Sequence, residues 1–479
     1  MSNFFGTDTS LKLTIYFAFV YELWPPTKKI NMLEGSLWDK MIVFALPLAF
    51  TGMLQQLYNA ADVAVLGRFV SDVAVAAVGN NVPVIGLIIS FCMGLALGVN
   101  VVVARALGMK NDRKANEAVR TSFLTAIVFG VVALIIGQLL AGPAMQWLDV
   151  PAEVRDDALM YLRVYLLGMP FIAVYNFLAA VFRSQGDTQT PLWALLAASL
   201  FNIAGNLLAV LVFNWGIAGV ALATVLANLL SSVILFVRLT HLEGPLRLVP
   251  SQLFQIDSSA LRSIVRIGWP AGIQGAVFSI SNLVIQSAIN SLGPEAMAGS
   301  VAAFTIEINV YCFINAFALA ATTFVSQNYG ARNLERCRRV MWTAMGLNML
   351  ATILMTTLVL IFGRNLLGIF THNPEVIALG MIRIFWVVLP QPISVVMDTL
   401  SGCMRGYGYS MPPAMVTLIV ICSVRLIWVY TAFPLSPTYE TLMMVYPLSW
   451  IITMFGLIGL YIRHQRMLRN RGTIVDDEL

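Results

Sequence analysis

The chain has 479 residues, of which 59% are hydrophobic and 11% charged, with a mean hydropathy of +0.81 and a formal net charge of +5. Soluble domains carry about 25% charged residues, so this composition excludes a soluble globular fold. Its apolar runs reach the roughly 20 residues that cross a bilayer, and the chain reads as an all-α polytopic membrane protein.

Residues 13–23, "LTIYFAFVYEL", are too short and aromatic for a span and lack a small-residue cleavage site, which argues against a cleaved signal peptide. The extension over 1–37 reads as a lipid-surface helix, as a disordered segment, or, before Met32, as sequence upstream of the functional start. An N-terminal bundle over 38–240 is expected, then a cytoplasmic linker over 241–262, a C-terminal bundle over 263–463 and a cytoplasmic tail over 464–479. The bundles hold twelve predicted spans: 41–66, 78–104, 121–145, 160–182, 191–213 and 216–238, then 264–290, 299–325, 340–362, 380–404, 413–433 and 442–462.

The first span holds Pro47 and ends in "QQLYNAADVAVLG", with Gln55, Asn59 and Asp62 four and three residues apart on one helix face. Such a face cannot look at lipid without leaving polar groups unsatisfied. It should turn inward, where Asp62 suits uptake of a proton from one side and release to the other. The alternative is a structural acid held by nearby amides. In the second span Gly94 and Gly98 form a GxxxG pair suited to close helix packing, and "RALGMKNDRK" follows as a basic anchor. Pro170 lies in the fourth span. In the fifth, Ser199, Asn202 and Asn206 share a face and could partner Asp62 or serve as interhelical hydrogen bonds.

The seventh span carries Gly268, Pro270 and Gly272, then Asn282, Gln286 and Asn290 four apart. The eighth has Glu307 and Tyr311; the tenth has Pro390 and then Ser394, Asp398 and Ser401 on one face; the eleventh has Arg425. Ionisable residues within spans are costly and by default mark a substrate or ion path. Arg425 is expected to pair with Glu307 or Asp398, leaving the other acid open to a cation; a purely structural ion network is the alternative. Matched prolines can act as hinges or simply set helix geometry.

Cys92, Cys312, Cys403 and Cys422 fall in apolar runs and Cys337 in a basic loop, so neither a disulfide framework nor a metal site is expected. With both termini cytoplasmic, inside segments carry 23 of the 29 Lys and Arg residues. Arg68, Arg155, Arg163, Arg364 and Arg383 fall in outer loops or at span ends. Lipid headgroups account for the basic clusters, so no nucleic-acid partner is expected.

The halves repeat at a spacing of about 222 residues. "FALPLAFTG" (44–52) matches "IGWPAGIQG" (267–275), and "VARALGMKN" (103–111) matches "VSQNYGARN" (325–333). "VPAEV" (150–154) matches "NPEVI" (373–377), and "FRSQGDTQTP" (182–191) matches "MRGYGYSMPP" (404–413). Six spans repeating as six keep their orientation, so the halves are related by an axis along the membrane normal, an arrangement suited to transporters.

Over residues 38–463 the chain resembles the multidrug and toxic compound extrusion (MATE) family. The likeness rests on "ALP…NAADVAVLGRF", on "VARALGMKN" with "SQNYGARN", and on "FRSQGDTQTP" with "MRGYGYSMPP". It implies two six-helix bundles facing each other in a V, and export of organic cations or amphipathic compounds driven by inward H⁺ or Na⁺, with no cofactor. The family's acid of the first span falls on Asp62; many members carry another Asp in the fifth span, where this chain has Asn206. The C-terminal acids of some members do not align with Glu307 and Asp398, which rest on their own chemistry. The expected setting is the bacterial inner membrane, the expected partners small molecules and the bilayer, and the expected state a monomer. A lipid-linked precursor flippase is the alternative; its anionic headgroup would need a cationic cavity, whereas the spans hold one Arg against three acids. No enzyme is expected: no His lies within a span (His241, His372 and His464 are in loops or at ends), and no HExxH or GxSxG occurs.

Overall fold

The structure is a computed structural model and describes residues 29–148 and 150–470. The N-terminal half comprises Trp38–Phe69 (α1), Asp72–Gly108 (α2), Asp112–Trp147 (α3), Ala152–Leu166 (α4), Met169–Ser184 (α5), Gln189–Leu207 (α6) and Gly216–Thr240 (α7). The C-terminal half comprises Ser258–Asn290 (α8), Pro294–Gly330 (α9), Leu334–Gly368 (α10), Pro374–Arg383 (α11), Gln391–Gly406 (α12), Met411–Leu435 (α13), Tyr439–Met443 (α14) and Val445–Asn470 (α15). Ten helical segments among the described residues are long and apolar enough to cross a bilayer. Two bent pairs, α4 with α5 at 47° and α11 (with its π turn) with α12 at 41°, bring the number to the expected twelve. The bends fall at Pro170, in the first turn of α5, and at Pro390, which precedes α12. Each proline removes a backbone donor where the span breaks. Pro47 and Pro270, by contrast, lie inside unbroken α1 and α8.

The duplication extends to backbone detail. Lys110 and Arg332, 222 residues apart, both adopt left-handed conformations (φ 53° and 58°), as do Gly186 and Gly408 (φ 90° and 80°). Asn111 and Asn333 each cap the following helix by accepting from the amide of Lys114 or Arg336. The turn before α10 is short, so Cys337 lies in the first turns of that helix and is buried, not in a basic loop. All five cysteines are free.

The two halves close on each other at the end that carries the basic clusters. Gly94 of α2 abuts the backbone of Gly272 in α8, and Gly98 abuts the carbonyl of Ile264. The two GxxxG pairs thus pack against one another, bringing backbones to a distance no side chain allows. The matched pair Gly108 and Gly330 is reciprocal: Gly108 sits on the backbone of Gln327 and Gly330 on that of Arg105. Asn100 donates to Thr323 Oγ1 (2.8 Å), Arg105 Nη2 to the Tyr407 carbonyl (2.7 Å) and Gln327 Nε2 to the Ser184 carbonyl (2.6 Å). Toward the other end the halves keep separate apolar cores. One is built around Leu66, Leu162 and Val220 of the N-terminal half, the other around Val310, Leu367 and Val388 of the C-terminal half. Gly79 and Gly86, on the corresponding part of α2, face open space.

The first helix of each half is exchanged. The basic-end part of α1 (Phe44, Ala45, Leu48) packs into the C-terminal core, while its far end (Val65, Leu66) packs into the N-terminal one. In α8, Ile264 and Ile267 pack among N-terminal residues and Ile285 and Ile289 among C-terminal ones. Two long helices therefore cross the seam as struts.

Three boundaries differ from expectation. The extension lies largely outside the described residues, but Asn31 to Leu37 is strapped down: Arg336 donates to the carbonyls of Met32, Glu34 and Gly35, and Met32 is buried. The linker ends at Asp257, the N-cap of α8, and is tied to α3 by Asn116 donating to the Pro245 and Arg247 carbonyls. Helix α15 runs on to Asn470, through part of the expected tail.

Candidate ion and substrate site

In the N-terminal half, Asp62 is 3% exposed and its carboxylate faces α6 and α7. Asn206 Nδ2 donates to Asp62 Oδ1 at 2.6 Å and to Asn202 Oδ1 at 3.1 Å. Asn202 Nδ2 reaches Thr224 Oγ1 at 3.2 Å, and Thr224 Oγ1 lies 3.0 Å from Asp62 Oδ2. These partners are neutral, so nothing in this hydrogen-bonded ring balances the charge of an ionised Asp62. A buried charge with no counter-charge is costly and is relieved by a proton or a cation. The same Thr224 hydroxyl is 3.0 Å from the Val220 carbonyl and has one proton for two acceptors. It can donate to an ionised Asp62, or turn to Val220 and accept from a protonated one. Asn206 Oδ1 is buried without a partner. With the oxygens of Asp62 and Asn202 it supplies the hard oxygen ligands that alkali cations favour.

Burial along the expected face of α1 is uneven. Gly52 contacts Cys312 of the other half, which puts that turn of α1 on the seam. Along the same helix Gln55 is half-buried and Asn59 exposed, while Asp62 is buried against α6 and α7. Asn206 bonds Asp62 and Asn202 bonds Asn206, an arrangement that matches one of the two readings of that face. Thr224 was not anticipated. Its one sequence signal is Asn228, four residues on, whose amide donates to the Thr224 carbonyl at 2.8 Å.

The C-terminal half corrects the expected pairing. Arg425 bonds neither Glu307 nor Asp398. The partner of Glu307 is Arg383, whose Nε and Nη2 lie 3.0 and 2.9 Å from Glu307 Oε2 and whose Nη1 donates to Ser300 Oγ at 2.8 Å. Arg383 is 5% exposed, inside the bundle and not at an outer span end, a depth that charge counting along the chain does not carry. Arg425, fully buried, donates from Nη1 to Asn282 Oδ1 at 2.7 Å and lies 5.1 and 4.6 Å from the ring centroids of Phe278 and Tyr446. Asp398 is half-buried and makes no ion pair among the described residues; Arg405, whose charge acts on it, donates to Gln274 Oε1 at 2.7 Å. The acid left open is therefore Asp398. The spans hold more buried arginine than expected, with Arg183, Arg383 and Arg425 each under a tenth exposed.

Two repeated helical bundles, joined at one end and each with ionisable groups buried in its interior, define a polytopic membrane transporter of duplicated architecture. The MatE family profile matches twice, over residues 47–208 and 270–431, and so covers more than half of the sequence. The chain belongs to that family, the multidrug and toxic compound extrusion transporters. The two matches begin 223 residues apart, in agreement with the internal repeat. Among curated relatives, the probable multidrug resistance protein YoeA of Bacillus subtilis is 26% identical over 441 residues, covering 89% of this chain and 94% of that protein. The probable multidrug resistance protein NorM of Thermotoga maritima is 28% identical over 396 residues, covering 81% and 84%. Among solved structures, a crystal structure of MATE in complex with MaL6 superposes with a TM-score of 0.84 at 20% identity over 93% of this chain and 99% of that one. An outward-facing MATE family transporter of the MOP superfamily superposes with a TM-score of 0.83 at 20% identity, over 92% of this chain and 100% of that one.

Proposed function

We propose that the protein exports cationic or amphipathic compounds from a bacterial cell by antiport, exchanging each for an inward-moving H⁺ or Na⁺ at Asp62. The observation that carries this reading is a carboxylate buried among neutral donors, in one of two bundles whose apolar cores are separate at that end. With the basic end cytoplasmic, the bundles are sealed toward the cytoplasm and part toward the outside, the arrangement that would release cargo and admit the ion. Arrival of H⁺ or Na⁺ changes what Asn206 and Thr224 hold. Because α1 is anchored in both cores, a shift at Asp62 is mechanically linked to the seam at the other end of the same helix. Pro47 lies between the two and removes one of the hydrogen bonds that would stiffen the strut. One positive charge moving inward releases about 2.3 kcal/mol per 100 mV, which sustains a roughly fortyfold gradient of a neutral cargo.

The test is drug accumulation in inverted vesicles, with a proton or a sodium gradient imposed separately at fixed pH. Asp62→Asn keeps the shape and the acceptor for Asn206, so the variant should fold and bind cargo yet lose ion-driven accumulation. Unimpaired accumulation in Asp62→Asn would remove the role. Whichever imposed gradient drives wild type names the coupling ion.

A further inference from the structure

Arg425 is the largest fully buried side chain among the described residues. Its Nε and Nη2, which carry three of the five N–H groups of a guanidinium, are buried without hydrogen-bond partners. Among the described residues its only hydrogen bond is to the neutral amide oxygen of Asn282. The flanking rings of Phe278 and Tyr446 attract the cation through their faces, and Arg425 makes no hydrogen bond to the Tyr446 hydroxyl. Tyr446 is shared: the Arg383 guanidinium lies 5.6 Å from the same ring, on whose other account stands the Arg425 contact at 4.6 Å. Arg383 and Arg425 thus bring two positive charges to one cluster, against the single carboxylate of Glu307, which Arg383 engages. The cluster carries one uncompensated positive charge inside the span region, where a lone guanidinium is costly and points to a ligand path.

The site borders the cleft. Gly275 of α8 touches Ser90 of the opposite half. Phe278 and Asn282 lie three and seven residues on, along the same helix face, where the halves have begun to part. Phe278 is 38% exposed and Asn282 half-buried. An anion entering the cleft would therefore meet Asn282 and Phe278 first and Arg425 directly behind them.

We propose that Arg425, with Asn282, is an anion site that accepts a carboxylate of the transported compound or a halide in its place. A planar guanidinium edge with two free nitrogens suits bidentate capture of a carboxylate. Together with Asp62 across the cleft, it would select amphipathic zwitterions over simple cations. As a substrate contact this rests on the export reading; as an anion site it does not.

The experiment is equilibrium binding to purified protein of a rhodamine bearing a free benzoate, and of the same dye as its methyl ester, followed by fluorescence polarisation. Wild type should favour the free benzoate by roughly tenfold or more, the scale of one charge-assisted hydrogen-bonded contact. Arg425→Gln should bring that ratio near unity, and Arg425→Lys should keep part of it. Asn282→Asp leaves the arginine in place but supplies an internal carboxylate; it should abolish the preference and raise thermal stability, so the answer does not depend on whether Arg425→Gln folds. Chloride against gluconate at constant ionic strength separates the sources. Competition by chloride that disappears in Asn282→Asp supports the site with a halide as occupant; an intact preference without competition supports it as a carboxylate site. Equal affinity for the two dyes in wild type, or a preference unchanged in Arg425→Gln and Asn282→Asp, overturns the proposal. Because the readout is binding, a failure of ion-driven transport would sink the antiport reading alone.

Discussion

Glu307 and Arg383 show why buried ions must be read as sets. Their side chains are 12% and 6% exposed, and both guanidinium contacts go to a single carboxylate oxygen. Removing one partner of such a pair strands the other and costs about 3–5 kcal/mol, whereas replacing both with apolar residues of similar size is near neutral. Glu307→Gln is thus expected to lower the unfolding midpoint sharply in a detergent melt, and Glu307→Leu combined with Arg383→Met to recover most of the loss. If the double variant melts no higher than the single one, the pair is not what holds α9 to α11. This pairing also marks the limit of sequence reading at the site. Asp62, Asn202 and Asn206 were legible because acids and amides at three-and-four spacing stand out in an apolar helix. Arg383 was not: along the chain it sits seven residues before Pro390 and looks like a span end, and only the bend of that span carries it inward. Thr224 was missed because a lone hydroxyl costs little in a helix, where it can bond the carbonyl four residues back, as it does at Val220.

At the scale of helices, the repeat, the twelve spans and the two proline breaks were legible from apolar length, proline position and matched motifs. The exchange of α1 and α8 was not, because periodicity says which face is buried but not against which partner. That packing makes a sharp demand on glycine. A Cβ at Gly94 would lie 2.2 Å from the Gly272 nitrogen, and one at Gly108 would lie 1.9 Å from the Gln327 carbonyl oxygen, with rigid backbone in both cases. Gly94→Ala and Gly108→Ala are each expected to force the seam apart at a cost of about 1–3 kcal/mol, seen as a lower melting midpoint. Gly142 and Gly346 provide the contrast, being helical glycines that face open space. Alanine there should be neutral or mildly stabilising through its better helix propensity. Equal melts for the two groups would show that the seam tolerates separation in the folded protein. Both π turns begin just past a buried polar cluster: Leu208–Val212 follows Asn206, and Ile384–Val388 follows Arg383. Such turns recur at functional sites, and here each resets the helix phase immediately after the side chain it presents.

For the whole molecule, closure at one end and separation at the other form a single arrangement of two rigid cores on two crossing struts. Under the antiport proposal, alternating access requires its inverse, in which the basic end parts while the far cores approach. The contacts at the basic end then define what must break: the glycine seam, Arg105 on the Tyr407 carbonyl, Gln327 on the Ser184 carbonyl and Asn100 on Thr323. The last of these can be made a reversible lock. Asn100 Nδ2 and Thr323 Oγ1 lie 2.8 Å apart across the seam, on α2 and α9, and both residues are fully buried. Cysteines at these positions would face each other across the seam and join under oxidation when it brings their Cβ atoms to about 3.5–4.5 Å. The double variant Asn100→Cys with Thr323→Cys is expected to cross-link readily, to lose vesicle accumulation when oxidised and to regain it on reduction, while each single cysteine variant stays insensitive to oxidant. The five native cysteines are separate free thiols, so the single variants report any background they add. Binding of the benzoate dye should survive the lock, because its site opens toward the opposite end. Full transport by the cross-linked protein would mean that the basic end never opens during the cycle, and a rocking exchange of access between two halves would have to be given up.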